Sequence, residues 1–254
     1  MIKDIKKEVE EIAKWIKNYV EETHAEGVVV GNSGGKDSAT VIALAQKALG
    51  KEKVLTISMP CNSIKSDLDD AKLVADIFEV PFIEIDITNS YFALENEIEK
   101  ATKNLAEGKE EWRVREAKIN AKPRIRMTTL YYVAQKLNYL VIGTGNKCEK
   151  IVWYTTKWGD SAHDFNPIGD FTVDEVLQIG KFLGVPSKII EKAPNDGLGG
   201  LTDEEKLGVT YKQIAEYIET GKTDAKALEI IKRKEKISEH KRKEIPVYKR
   251  LENN

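Results

Sequence analysis

The sequence predicts an α/β fold: a doubly wound, mostly parallel sheet with helices on both faces, in a single domain. Three observations predict it. Short apolar runs alternate with longer segments of helical period, glycines bracket the first apolar run, and a glycine-rich turn joins that run to the next helix. Strands separated by helices are βαβ units with right-handed crossovers, which run parallel and bury both faces of the sheet.

Taken in order, Ile2, Ile5, Val9, Ile12, Ile16 and Tyr19 recur at intervals of three and four, so the first 22 residues form an amphipathic helix. It packs either on its own sheet or on a second copy of the chain. Val28-Val29-Val30 is a strand, followed by the loop Gly31-Asn32-Ser33-Gly34-Gly35 and a helix over 36–48. Val54 to Ile57 is the second strand, Ser66 to Phe78 a helix opened by a Ser66/Asp69 capping box, and Pro81 to Ile87 the third strand. A long charged helical stretch from about Tyr91 to Leu137 loosens near Gly108 and Pro123. Tyr139 to Ile142 is the fourth strand. Gly, Asn, Asp and Pro then crowd residues 143–170, a loop too long to be a simple connector. Helical spacing returns over 172–183, and the glycine-rich 195–202 is a mobile loop. The stretch 232–250 carries nine Lys/Arg against three Glu.

Of 254 residues, 41% are hydrophobic, enough for a sizeable core and too many for a disordered chain. Forty basic against 42 acidic side chains give a net charge of −2, which argues against a general nucleic-acid or membrane-surface binder. The interleaved Glu235, Glu239 and Glu244 likewise favour a solvated helix over a nucleic-acid arm at the basic end. Cys61 and Cys148 are the only cysteines, so there is no disulfide ladder and no Cys/His zinc cluster. With no signal-peptide pattern and no apolar span, the expectation is a soluble, cytoplasmic protein.

Ser33-Gly34-Gly35-Lys36-Asp37-Ser38 sits between a buried strand and a helix start. Two glycines let a ligand approach the backbone, and the free N–H groups and dipole of the helix favour phosphate. The spacing excludes a Walker A loop, because three residues separate Gly31 from Gly35 and Asp37 follows Lys36. A carboxylate beside phosphates repels them unless a cation lies between, which points to Mg²⁺. The bland alternative is a tight turn whose Asp37 only complements the helix dipole.

SGGKDS resembles the pyrophosphate-binding SGGxDS loop of the N-type ATP pyrophosphatases. Three further regions resemble the ammonia-dependent NAD synthetases within that superfamily. They are Lys122 to Met127 (KPRIRM); Gly143-Thr144 through Glu149 with Thr156-Lys157-Trp158-Gly159-Asp160 and Asp164 to Pro167; and Lys192-Ala193-Pro194, Leu207 to Tyr211 and Glu239 to Arg242. The resemblance spans residues 31–242. It implies an adenine nucleotide alpha hydrolase-like domain over 1–254, with an N-terminal helix at 1–26, a nucleotide-binding core at 27–194, and a mobile loop with a basic helical segment at 195–254.

Carried over by position, the resemblance implies that Gly31, Asn32, Ser33, Gly34, Gly35, Lys36, Asp37, Ser38, Thr144 and Asn195 bind ATP. Asp37 and Glu149 would hold Mg²⁺, while Arg124, Lys157, Asp164, His240 and Lys241 would bind deamido-NAD. Asp37, Lys157 and Asp164 are the implied catalytic residues, Asp164 as acceptor of the ammonium proton. The chain departs from the bacterial pattern at Gly145-Asn146, where those members have Asp-His, and at Asn195, where they have Thr or Ser. It departs also at Val173, where they have an ATP-contacting Lys, for which Lys147, Lys150 and Lys181 are nearby candidates. The implied reaction adenylates the nicotinate carboxylate with ATP, releases pyrophosphate, and lets ammonia displace AMP. No glutaminase domain fits, since the α/β reading uses nearly all of the chain from Val28 onward. Family members are dimers, so a homodimer is expected. Trp153, Tyr154 and Trp158 either pack or stack on a nicotinate ring. Rival readings are adenylation of a tRNA base and a sensor module that binds nucleotide without turnover.

Overall fold

Asp4 accepts the Lys7 N–H at 3.1 Å and starts α1 (Ile5–Glu22), whose Val9, Ile12, Ile16 and Val20 are buried. Each such side chain contributes about 1.5–3 kcal/mol of burial. The stripe lies against α2 (Lys36–Leu49) and α7 (Val173–Phe182), so the helix packs on its own core. The computed structural model describes residues 1–63, 65–105, 107–192 and 203–250.

Among these residues the sheet has four parallel strands, β1 (Gly27–Gly31), β2 (Val54–Ser58), β3 (Phe82–Glu84) and β4 (Tyr139–Ile142), in the order β3-β2-β1-β4. Val28 and Val30 face the core shared with α1, α2, α3 (Lys65–Ile77), α7 and α8 (Ser187–Ile190). Val29 points the other way, toward α4 (Thr88–Thr102) and α5 (Glu111–Leu137). All three are fully buried, as strands covered on both faces must be. A second core joins α6 (Lys147–Val152) and α7 to α9 (Asp203–Leu207), α10 (Tyr211–Thr220) and α11 (Ala225–Ile237). The short α12 (Glu239–Arg242) follows. No helix among the described residues is long and apolar enough to cross a membrane.

Several boundaries differ from the sequence reading. Ser66 lies inside α3 rather than at its cap, because the helix already runs from Lys65. Regular pairing of β3 stops at Glu84, although Ile85 and Ile87 still donate to Ser58 and Pro60. The stretch 91–137 is two helices, and the second runs on through Pro123. Proline forfeits one backbone bond there, but its ring is buried and the chain at Gly159 packs on it, 3.0 Å from a hypothetical Cβ. The 143–170 loop contains α6, opened by an Asn146/Glu149 capping box. It also contains Asp164-Phe165, which bridges β4 beside Ile142 as a one-residue extension of the sheet. The 195–202 loop and Asn195 lie outside the described residues.

Candidate active site at the carboxyl ends of β1 and β4

β1 continues to β2 on one side and neighbours β4 on the other, so its carboxyl end is the topological switch point of the sheet. Open α/β sheets bind ligands in that crevice. The Gly31 to Ser38 loop leaves β1 there. Asn32, 2% exposed, donates to the Ala71 carbonyl at 2.8 Å and accepts the Gly34 N–H at 3.1 Å. Gly34 has φ +71° and lies directly on α3; a Cβ would sit 2.6 Å from the Asp67 carbonyl. Ser33 Oγ accepts from Gly35 N–H and lies 3.1 Å from Ser38 Oγ. No side chain caps the α2 start at Gly35, which leaves a helix N-terminus of the kind that favours an anion.

α3 is itself stapled from behind. Buried Asp70 meets Lys188 Nζ at 2.6 Å and Lys192 Nζ at 2.7 Å, and Lys192 also holds Asp67 at 2.8 Å. Burial alone would raise the Asp70 carboxyl, but the two lysine hydrogen bonds outweigh it and hold it below its ordinary value of 3.8. A folded-state value below the unfolded one stabilises above about pH 4, and that stability is lost as pH falls through the folded value. Asp70→Asn is therefore expected to cost about 2 kcal/mol at pH 7. Thermal melts of both proteins should show the gap narrowing from pH 7 to pH 3.

From β4 the chain runs through Gly143 and Thr144 to Asn146 and Glu149. Asp37 Oδ1 accepts from Asn146 Nδ2 at 3.3 Å, which brings the α2 and α6 starts together across 109 residues of sequence. Asp37 Oδ2 lies 3.4 Å from Lys36 Nζ, which in turn lies 5.8 Å from the Tyr211 ring centroid. Burial, then the adjacent Asp37 carboxylate, pushes the Glu149 carboxyl well above its usual range. Two carboxylates crowded in this way suit a divalent cation. The described residues contain no group of three or more metal-ligating side chains.

A second cluster is cationic. Arg124 Nε on α5 donates to the Lys157 carbonyl at 3.3 Å, and Lys157 Nζ donates to the His240 carbonyl at 3.2 Å, so α12 closes onto the 155–160 loop. Burial, with Arg124 and Lys157 nearby, lowers the Lys241 ammonium against the pull of Asp160 and Glu116. Asp160 accepts from both Thr155 and Thr156, and Thr156 Oγ1 donates to Asn120 at 2.6 Å, which fixes the Lys157 loop on α5. Asp160 raises both the Glu149 carboxyl and the Lys241 ammonium electrostatically.

Asp164 sits beside β4. Its Oδ2 accepts the Val141 N–H at 2.7 Å and its Oδ1 the Tyr131 hydroxyl at 3.1 Å. Exposed Trp158 lies under Lys157 Nζ at 5.4 Å, whereas Tyr154 packs on the second core. Val173 is buried in that core against α6, so an aliphatic side chain fills the place of the bacterial lysine. Lys147 pairs with Asp170 at 2.9 Å. Cys148 is fully buried and its thiol is pushed up to about 11 by burial, which keeps it protonated and inert. Sequence reasoning assigned no role to Asn146, Asp160, Lys192 or Tyr211; the capping-box spacing to Glu149 could have flagged Asn146, whereas its bond to Asp37 and the long-range contacts of Lys192 and Tyr211 follow no spacing rule.

The sequence profile of the NAD synthase family matches residues 8–252. The chain belongs to the NAD synthase family. It is 43% identical over 241 residues to the NH(3)-dependent NAD(+) synthetase of Carboxydothermus hydrogenoformans, covering 94% of this chain and 96% of that one. Among solved structures it is similar to an NMN synthetase from Francisella tularensis, with a TM-score of 0.88 at 34% identity over 96% of this chain and 98% of the other. It is similar also to the NH3-dependent NAD synthetase from Campylobacter jejuni, at 0.78 and 29% over 98% and 100%. The doubly wound α/β expectation thus holds, and the crevice described above lies within the NAD synthase domain.

Proposed function

We propose that this chain amidates deamido-NAD with free ammonia, consuming ATP and releasing AMP and pyrophosphate. The observation that carries the proposal is that Asn146 joins Asp37 to Glu149 at the switch point, beside an uncapped helix start, in a chain of this family. In this reading the Ser33 to Ser38 loop receives the leaving pyrophosphate, with first-turn amides and Lys36 balancing its charge. Asp37 and Glu149 hold Mg²⁺, which when bound supplies charge neutralisation to the phosphates. Thr144, at the end of β4, and Asn195 complete the ATP contacts.

Arg124, Lys157, His240 and Lys241 take the phosphates and nicotinate end of deamido-NAD. Burial, and to a smaller extent Arg124 and Lys157, lowers the Lys241 ammonium, and an anion bound beside it would favour its charged form. The carboxylate then attacks the α-phosphorus in line, and Lys157 balances charge at the reacting phosphate. Asp164, exposed beside Tyr131, accepts the proton that ammonium must lose before nitrogen attacks the acyl adenylate.

The proposal includes a cytoplasmic homodimer. Both cysteines are free and buried, in keeping with a reducing compartment. Leu94, Ile98, Trp112 and Tyr132 on α4 and α5 are exposed apolar side chains that a second copy could cover.

The test mixes purified protein with ATP, Mg²⁺, ammonium and deamido-NAD, reading NAD by a coupled dehydrogenase and nucleotides by chromatography. NAD and AMP are expected in equal amounts, with none from glutamine alone. AMP without NAD would leave the ATP chemistry and reject the substrate; neither product from folded protein would favour a sensor. The likeness to an NMN synthetase supports a second reading, in which nicotinate mononucleotide is the preferred acceptor. The ratio of kcat/KM for the dinucleotide and the mononucleotide decides between them.

A further inference from the structure

We propose that Asn146 is a positioning residue that sets the spacing of Asp37 and Glu149 for their divalent cation. The inference rests on the functional reading above and extends it to a residue that touches both carboxylate-bearing residues.

Asn146 is 1% exposed, and besides the helical bond that its carbonyl accepts from Lys150 it makes three bonds to Asp37 and Glu149. Its Nδ2 donates to Asp37 Oδ1 at 3.3 Å, its Oδ1 accepts the Glu149 N–H at 3.1 Å, and its own N–H donates to Glu149 Oε2 at 2.9 Å. One short side chain must therefore donate on one side and accept on the other, which a primary amide does and a carboxylate or hydroxyl does not in this geometry. The brace is itself fixed. Asn166 Nδ2 holds the Gly145 carbonyl at 2.8 Å, and the Lys147 N–H donates to the Phe171 carbonyl at 2.8 Å, so the residues on both sides of Asn146 are pinned.

Asp37 and Glu149 arrive on different strand-to-helix connections, so local chain geometry does not set their spacing. A donor to Asp37 from the same residue that orients Glu149 ties the two connections together before any cation arrives. Groups that orient metal ligands in this way are commonly worth 10–100-fold in metal affinity.

The competing account is that Asn146 only caps α6. Asn146→Ser separates the two roles, since serine keeps an N-cap acceptor for the Glu149 N–H and loses the reach to Asp37. Asn146→Ala loses both. Mn²⁺ is titrated by electron paramagnetic resonance into the full chain with one equivalent of α,β-methylene-ATP, with Asp37→Asn as the blank for metal held by nucleotide alone. Thermal melts run in parallel.

The expected result is a dissociation constant for Mn²⁺ raised at least tenfold in both variants, with the melting temperature lowered only in Asn146→Ala. Wild-type affinity within twofold in Asn146→Ser overturns the proposal and leaves a helix cap. If the wild-type protein binds no Mn²⁺ beyond the blank, the metal reading of Asp37 and Glu149 fails and this inference fails with it.

Discussion

Asp37→Asn is expected to lower kcat for NAD formation about 10³-fold, roughly 4 kcal/mol of transition-state stabilisation, while leaving the fold intact. The substitution is isosteric. Rotated, the new amide still offers an oxygen to Asn146 Nδ2, so the bridge between the α2 and α6 starts survives. What disappears is one of the two charges that crowd Glu149 and the partner of Lys36 Nζ at 3.4 Å. Melting should therefore move by only a few degrees. The coupled assay across a range of Mg²⁺, with a thermal melt, makes the check. Near-normal turnover in folded protein would remove Asp37 from the metal site and leave it as a complement to the helix dipole.

The second large effect is structural and reaches the same site. Gly34→Ala places a Cβ 2.6 Å from the Asp67 carbonyl, 2.8 Å from the Ala71 nitrogen and 2.9 Å from Asp70 Cβ, in a backbone at φ +71°. The left-handed conformation costs about 1–2 kcal/mol for a residue with a side chain, and the overlap with a stapled helix adds about 1–3 kcal/mol. A loss of about 2–5 kcal/mol lowers the melting temperature by about 5–15 °C in a domain of this size. Because α3 is held by Lys188 and Lys192, the loop and not the helix must give way, so KM for ATP should rise as well. Gly221→Ala is the control: its φ is +70° but nothing lies within 4 Å, so it should cost only the conformational part and leave KM unchanged. Equal effects from the two variants would show that close packing under the loop does not position it.

Much of this was legible in the sequence because it is local. The period of α1, the buried run Val28-Val29-Val30 and the SGGKDS turn are each decided within a few residues, by side-chain spacing and by the conformational freedom of glycine. The motif resemblance added an expectation of which carboxylates and cations share a site. Misreadings fell where tertiary contacts override local preference. Pro123 stays inside α5 because its ring is buried where Gly159 packs. The helix in the 143–170 loop was missed for another reason: its signal, the Asn146/Glu149 capping box, is local and was not read.

By itself, then, the sequence determined the fold class, which follows from pattern and composition, and its motifs carried the resemblance to the family and the expected site residues. Only the tertiary structure decided which of them touch. The bond from Asn146 to Asp37 spans 109 residues, that from Lys157 to His240 spans 83, and that from Lys192 to Asp70 spans 122. Each depends on how β1 and β4 align in register and on which helix ends the crossovers bring to one edge of the sheet. Spacing along a chain carries no information about that meeting; packing of the two faces of the sheet does.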